Sequence, residues 1–136
     1  MVEMMAEAPG KAVILAVDDT PENLDVVRGV LASEHTVRVA INGAVALKIA
    51  QKQLPDLVLL DINMPGMDGY EVCRSLKSEQ GTQHIPVIFL TAELDAASKQ
   101  KGLDLGAVDY VTKPIDPEIL RTSVREHLAS AGHIHE

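Results

Sequence analysis

The sequence predicts a doubly wound α/β domain: a five-stranded parallel sheet with helices on both faces. Three observations lead there. Short β-branched apolar runs, beginning with Ala12-Val13-Ile14-Leu15-Ala16-Val17, are bounded by turn residues and read as strands buried on both faces. These runs alternate with stretches whose apolar residues recur at helical spacing, which is the pattern of βα units. Finally, four of the five runs end in a polar or charged residue: Asp18 and Asp19, then Asp61, Thr91 and Lys113.

The elements follow in order. After the first strand, Thr20-Pro21-Glu22 reads as a helix start, with Thr20 as N-cap and Pro21 in the first position. Leu24, Val27, Val30 and Leu31 then give one buried face over residues 21–33. Residues 36–40 form a short strand and Asn42-Gly43 a turn. Residues 44–51 are helical, with Val45 and Ile49 four apart and Ala46 and Leu47 on the same side. Residues 57–60 are the third strand. Asp68 with Glu71 three residues on forms a capping box for a helix carrying Val72 and Leu76. Pro86 opens the fourth strand, 87–90, where its missing donor does least harm. Residues 95–105 form an Ala-rich, polar helix containing Gly102; its thin apolar stripe makes it the least firmly packed element. Residues 108–111 are the last strand. Asp116-Pro117-Glu118 starts a final helix with Leu120, Val124 and Leu128 on one line.

Composition narrows the possibilities. A chain of 136 residues with 46% apolar residues suffices for one aliphatic core, and the only aromatics are Tyr70, Phe89 and Tyr110. The expected organisation is a flexible leader over 1–10, one domain over 11–129 and a frayed tail beyond it, in which His133 and His135 are solvated. A net charge of −8 argues against a nucleic-acid or anionic-membrane surface. Cys73 is a single thiol, so neither a disulfide nor a cysteine metal site is expected. With no signal peptide and no stretch of membrane-span length, a cytoplasmic location is the default.

In a doubly wound sheet the site lies beyond the carboxyl ends of the strands. Two carboxylates about 4 Å apart repel by roughly 4 kcal/mol at an effective dielectric of 20. The group Asp18, Asp19 and Asp61 therefore calls for a cation, a proton or a lysine. Oxygen ligands without clustered His or Cys select a hard divalent ion, and Mg2+ fits best. Such an ion beside the Lys113 ammonium and the Thr91 hydroxyl suits a phosphoryl group. A carboxylate can itself attack phosphorus, giving an aspartyl phosphate. Because that transition state is loose, positioning and charge neutralisation suffice without a general base.

Four segments carry a family resemblance: Val17-Asp18-Asp19; Asp61-Ile62-Asn63-Met64-Pro65-Gly66-Met67-Asp68-Gly69; Leu90-Thr91-Ala92; and Tyr110-Val111-Thr112-Lys113-Pro114. In this order and spacing the chain resembles the receiver domain of bacterial two-component response regulators over about residues 11–129. The resemblance implies a flavodoxin-like sheet of strand order 2-1-3-4-5. It makes Asp61 the phosphoacceptor, Asp19 a direct Mg2+ ligand (Mn2+ may substitute), Asp18 a ligand acting largely through water, and Asn63 a donor of its backbone carbonyl. Lys113 would pair with phosphoryl oxygens, Thr91 would turn its hydroxyl toward them, and Tyr110 would be the switch aromatic that follows Thr91 inward. A cis Lys113–Pro114 bond is implied as well. Asn63 and Glu93 occupy the two positions that tune hydrolysis in this family. Both are polar and able to order water, so the expected phosphoryl lifetime is minutes rather than days.

By the same resemblance the chain is a signalling switch that catalyses only its own phosphorylation and dephosphorylation. Its donor would be a histidine kinase or histidine phosphotransfer protein, docking near the helix that starts at Pro21. A downstream effector, or a second copy in a homodimer, would use the face built from residues 95–129. The sequence ends about seven residues past the last helix, so the expectation is either a single-domain regulator or the receiver portion of a longer one. Thr20-Pro21 and residues 106–114 resemble receivers joined to cyclic-nucleotide-turnover or kinase domains. Two other classes share part of this chemistry. A haloacid-dehalogenase-type phosphatase also uses an aspartyl phosphate and Mg2+, but it wants a second acid two residues after its nucleophile, and position 20 is Thr. A flavodoxin-like FMN protein wants a Ser/Thr/Gly-rich first loop, where an Asp pair would repel the phosphate.

Overall fold

A computed structural model describes residues 11–92 and 95–131. The elements alternate strictly: β1 (Val13–Val17), α1 (Pro21–Leu31), β2 (Thr36–Ala40), α2 (Gly43–Lys52), β3 (Leu57–Asp61), α3 (Gly69–Ser78), β4 (Val87–Thr91), α4 (Ala96–Asp104), β5 (Asp109–Thr112) and α5 (Pro117–Ser130). All strand pairs are parallel and the order is β2-β1-β3-β4-β5. The central strands β3 and β4 are buried at every residue, as their unbroken apolar runs require, while the edge strands β2 and β5 are partly open.

Side chains alternate between the two faces with the period of two expected of strands. Leu57, Leu59, Ile88 and Leu90 join Leu24, Val27 and Leu31 of α1 and Leu120, Val124 and Leu128 of α5 in one core. Val58, Leu60, Val87 and Phe89 join Ala46 and Ala50 of α2 and Val72, Cys73 and Leu76 of α3 in the other. No helix among the described residues is long and apolar enough to cross a membrane.

Several sequence expectations are corrected. Thr20 is the N-cap of α1, but its side chain makes no capping bond. Its backbone N–H instead donates to Asp18 Oδ1 at 2.9 Å, so the preceding strand end supplies the polar partner. In α2 the buried face is Gly43, Ala46 and Ala50, with Val45 turned outward at 37% exposure. Small residues let that helix approach its neighbours closely, and a Cβ on Gly43 would come within 2.8 Å of Val72 Cγ2 in α3. The fifth strand runs one residue later than expected, and Pro86 lies just before β4, its carbonyl accepting from Val58 N at 3.0 Å. Helix α5 continues through Ser130, one residue past the expected domain edge at 129, so Ser130 is helical rather than tail. The leader 1–10, Glu93, His133 and His135 lie outside the described residues. The capping box of α3 is present in full, with Asp68 Oδ1 accepting from Glu71 N and Glu71 Oε1 from Asp68 N, both at 2.9 Å.

Helix α4 buries only Gly102. A glycine there leaves room for the Tyr110 hydroxyl, which a Cβ would overlap, and for Phe89, whose Cε2 would sit 2.9 Å away. The Tyr110 hydroxyl lies 2.8 Å from both the Ser98 and the Lys99 carbonyl oxygens, sharing its one proton between them. Tyr70 donates to the Ser98 carbonyl at 3.2 Å and stacks edge-on against Phe89. The chain's three aromatics thus form the seat of α4. Gly102→Ala is expected to expel the Tyr110 hydroxyl, lower stability by roughly 1–3 kcal/mol and speed amide hydrogen exchange over residues 96–104 before any other helix. Unchanged exchange in α4 would contradict this account.

Candidate functional site

The sheet register brings the polar strand ends to one edge. Val17 pairs with Leu60, Asp61 with Leu90 and Thr91 with Thr112, so the residues at or just past these positions share a single rim. Asp18 is 1% exposed, Asp61 5% and Thr91 2%, whereas Asp19 is open to solvent. Lys113 follows β5 and reaches back over the edge. Its Nζ donates to Asp18 Oδ2 at 2.9 Å and to Asp61 Oδ1 at 3.1 Å. Its backbone N–H donates to the Thr91 carbonyl at 2.9 Å, which locks the ends of β4 and β5 together, and the Lys113–Pro114 peptide is cis.

The carboxylates of Asp18, Asp19 and Asp61 offer oxygens within 4.8 Å of one another, the only such group among the described residues. An all-oxygen, three-carboxylate set suits a small hard divalent cation. Burial raises the Asp61 pKa, the Lys113 hydrogen bond opposes that rise, and the nearby Asp18 and Asp19 charges add to it. For Lys113, burial acts to lower the pKa, but the hydrogen bonds and charges of Asp18 and Asp61 outweigh it and the net direction is up. The pocket is therefore held together by one ammonium facing two buried carboxylates.

The remaining predicted residues divide. Asn63 is exposed in the loop after β3, which Gly69 N closes by donating to the Ile62 carbonyl at 2.9 Å. Tyr110 is half-buried on β5, outside the acidic pocket and against α4. Sequence reasoning missed Asn23. From the first turn of α1 its Nδ2 donates to Asp18 Oδ2 at 3.1 Å. Its place five residues after a strand-end aspartate was the available signal. Sequence reasoning also read Gly69 only as part of the loop motif, whereas a Cβ there would overlap the Asp61 carbonyl oxygen.

This architecture matches the family described as "Response regulator receiver domain" over residues 14–125. The chain belongs to that family. The receiver is 44% identical over 128 residues to a probable cyclic di-GMP phosphodiesterase of Vibrio cholerae, covering 94% of this chain and 29% of that protein. It is 45% identical over 113 residues to the response regulator PleD of Caulobacter vibrioides, covering 82% of this chain and 25% of PleD. The chain thus spans less than a third of the length of these curated relatives. Among solved structures, the receiver domain of the Pseudomonas aeruginosa sensor histidine kinase PA1611 superposes with a TM-score of 0.81 at 28% identity, covering 88% of this chain and 98% of that one. In that structure a magnesium ion is coordinated in the active-site cleft. Receiver domains of this kind bind Mg2+ at an acidic pocket and are phosphorylated by histidine kinases.

Proposed function

We propose that this receiver is a phosphorylation-controlled switch that accepts a phosphoryl group on Asp61 from a histidine kinase or histidine phosphotransfer protein. The observation that carries the reading is the Lys113 ammonium held between Asp18 and Asp61 at the carboxyl edge of the sheet. An Asp61 carboxylate oxygen attacks phosphorus, an O–P bond forms, and the P–N bond of the donor phosphohistidine breaks with its electron pair going to the imidazole. A carboxylate has no proton to lose when it attacks, so no base is needed; the requirement is to neutralise charge on the three transferring oxygens. Lys113 supplies one positive charge there, and Mg2+ when bound supplies the rest. Asp19, exposed, would hold that ion directly together with Asp61 and the Asn63 backbone carbonyl. Asp18, whose two oxygens are already engaged by Thr20, Asn23 and Lys113, would act on it largely through water.

The new charge draws the Thr91 hydroxyl and Lys113 toward Asp61. Tyr110 follows Thr91 inward and gives up the Ser98 and Lys99 carbonyls, which loosens α4 on its aromatic seat. The surface that changes is α4, β5 and α5, where Leu103, Val108 and Ile119 are exposed, and this face meets the downstream effector or a second copy. The phosphodonor docks beside the pocket along α1. Asn63 and Glu93 order the hydrolytic water.

Acetyl phosphate with Mg2+ tests the assignment. One hydroxylamine-sensitive phosphate per chain is expected, which chelation of the metal prevents and Asp61→Asn abolishes. Phosphate uptake by Asp61→Asn at the wild-type rate would overturn the reading, and steady release of inorganic phosphate from unrelated phosphate esters would indicate a phosphatase instead.

A further inference from the structure

We infer that Asn23 is a positioning residue for phosphoryl transfer: its amide holds the Asp18 carboxylate in place while Lys113 moves to the phosphoryl group. The inference rests on the roles proposed for Asp61 and Lys113. Asp18 is 1% exposed, so each of its oxygens needs a donor from the protein or the site. Oδ1 accepts from Thr20 N at 2.9 Å, and Oδ2 accepts from Asn23 Nδ2 at 3.1 Å and from Lys113 Nζ at 2.9 Å. Lys113 is the one of these three donors that has a second duty, since it also contacts Asp61 at 3.1 Å.

When phosphoryl oxygens draw the ammonium away, Oδ2 of a buried carboxylate loses its strongest donor. Leaving a buried charged acceptor unsatisfied carries a large desolvation penalty, which would oppose the transfer. The Asn23 amide removes that penalty because it stays on Oδ2 whichever carboxylate Lys113 serves. Its neutrality matters as well. A second cation at this place would cancel the negative charge that attracts a divalent ion, and an acid would hold Lys113 back. The amide is also fixed in space: α1 is anchored by buried Leu24, Val27 and Leu31, and Asn23 sits in its first turn directly before Leu24. Helix α1 itself has no need of an asparagine there, since Asn ranks well below Ala in helix propensity.

The experiment uses the full chain with Asn23→Ala and Asn23→Asp. It measures labelling by acetyl phosphate at saturating Mg2+, Mg2+ affinity of the unphosphorylated protein by calorimetry, and Tm. Asn23→Ala is expected to slow labelling by roughly tenfold, the scale of one hydrogen bond to a charged group, with only a small fall in Tm because Lys113 still serves Oδ2 in the unphosphorylated protein. Asn23→Asp is expected to slow labelling at least as much while binding Mg2+ more tightly than wild type. Labelling of Asn23→Ala within twofold of wild type would overturn the inference. So would slowed labelling that tracks a lowered Tm while Mg2+ affinity is the same in both variants. A wild type that takes no label at Asp61 is a different failure, because it removes the proposed function on which the inference stands.

Discussion

Lys113→Met is expected to destabilise the fold by about 3 kcal/mol, the lower end of the cost of breaking a buried ion pair, and to lower Tm by roughly 10 °C. The side chain is 20% exposed while Asp18 and Asp61 are 2% and 7% exposed, so removing the ammonium leaves two nearly buried carboxylates facing one another. The lower end applies because the pocket opens toward solvent at Asp19. The pH dependence has a definite sign. Burial already raises the Asp61 pKa, and the Lys113 hydrogen bond is what holds it down, so the variant raises it further. A carboxyl whose folded pKa lies above its unfolded value imposes no penalty below the unfolded pKa and a growing one as pH rises toward the folded value. The gap between wild type and Lys113→Met therefore widens from acidic to neutral pH. Mg2+ narrows it again. At a hundred times its dissociation constant a ligand of the folded state adds roughly 2.7 kcal/mol, and the variant gains more than wild type, in which Lys113 competes for the same oxygens. Thermal melts at two pH values, with and without Mg2+, check all three parts. Equal Mg2+ shifts in both proteins would show that Lys113 does not balance the pocket's charge.

That charge balance was legible before any coordinates, and the reason is topological. In a parallel sheet every strand points the same way, so the residue that ends each apolar run must arrive at a common rim. Asp18, Asp61, Thr91 and Lys113 could be placed together from their positions alone. Helix faces were less legible. Val45 and Ile49 share a helical line, yet Gly43, Ala46 and Ala50 form the buried side of α2, because small residues permit the closer approach, as Gly43 does toward Val72 of α3. Contacts that cross from one element to a preceding loop were legible only as positions, not as contacts. Spacing says that Asn23 lies in the first turn of α1, but nothing in it says that the side chain reaches back to Asp18. The seat of α4 is similar: Tyr70, Phe89 and Tyr110 come from three different elements, and only packing brings them under Gly102.

Gly69 is the sharpest case of such a contact, and Gly69→Ala is expected to be the most damaging glycine-to-alanine change among the described residues. A Cβ at that position would overlap the Asp61 carbonyl oxygen, lie 2.8 Å from Ile62 Cα and meet the Asp61 carbonyl carbon at 3.0 Å. All three neighbours are backbone, so no rotamer change relieves the clash; the end of β3 or the start of α3 has to move. Overpacking of this kind costs on the order of 3 kcal/mol, and the hydrogen bond from Gly69 N to the Ile62 carbonyl is strained along with it. The movement falls on the residue proposed to carry the phosphoryl group, so labelling by acetyl phosphate should fall further than the lost stability accounts for. Gly29→Ala is the matched control. It adds the same methyl group in the last turn of α1, where nothing lies within 4 Å, and it should stabilise the protein by roughly 0.5–1 kcal/mol through helix propensity alone. Opposite shifts in Tm from the two substitutions, with labelling lost only in Gly69→Ala, are the expected outcome. A Gly69→Ala protein that melts with wild type and labels at its rate would mean that the backbone at Asp61 tolerates displacement, and that the pocket is not held by the close approach of α3 to the end of β3.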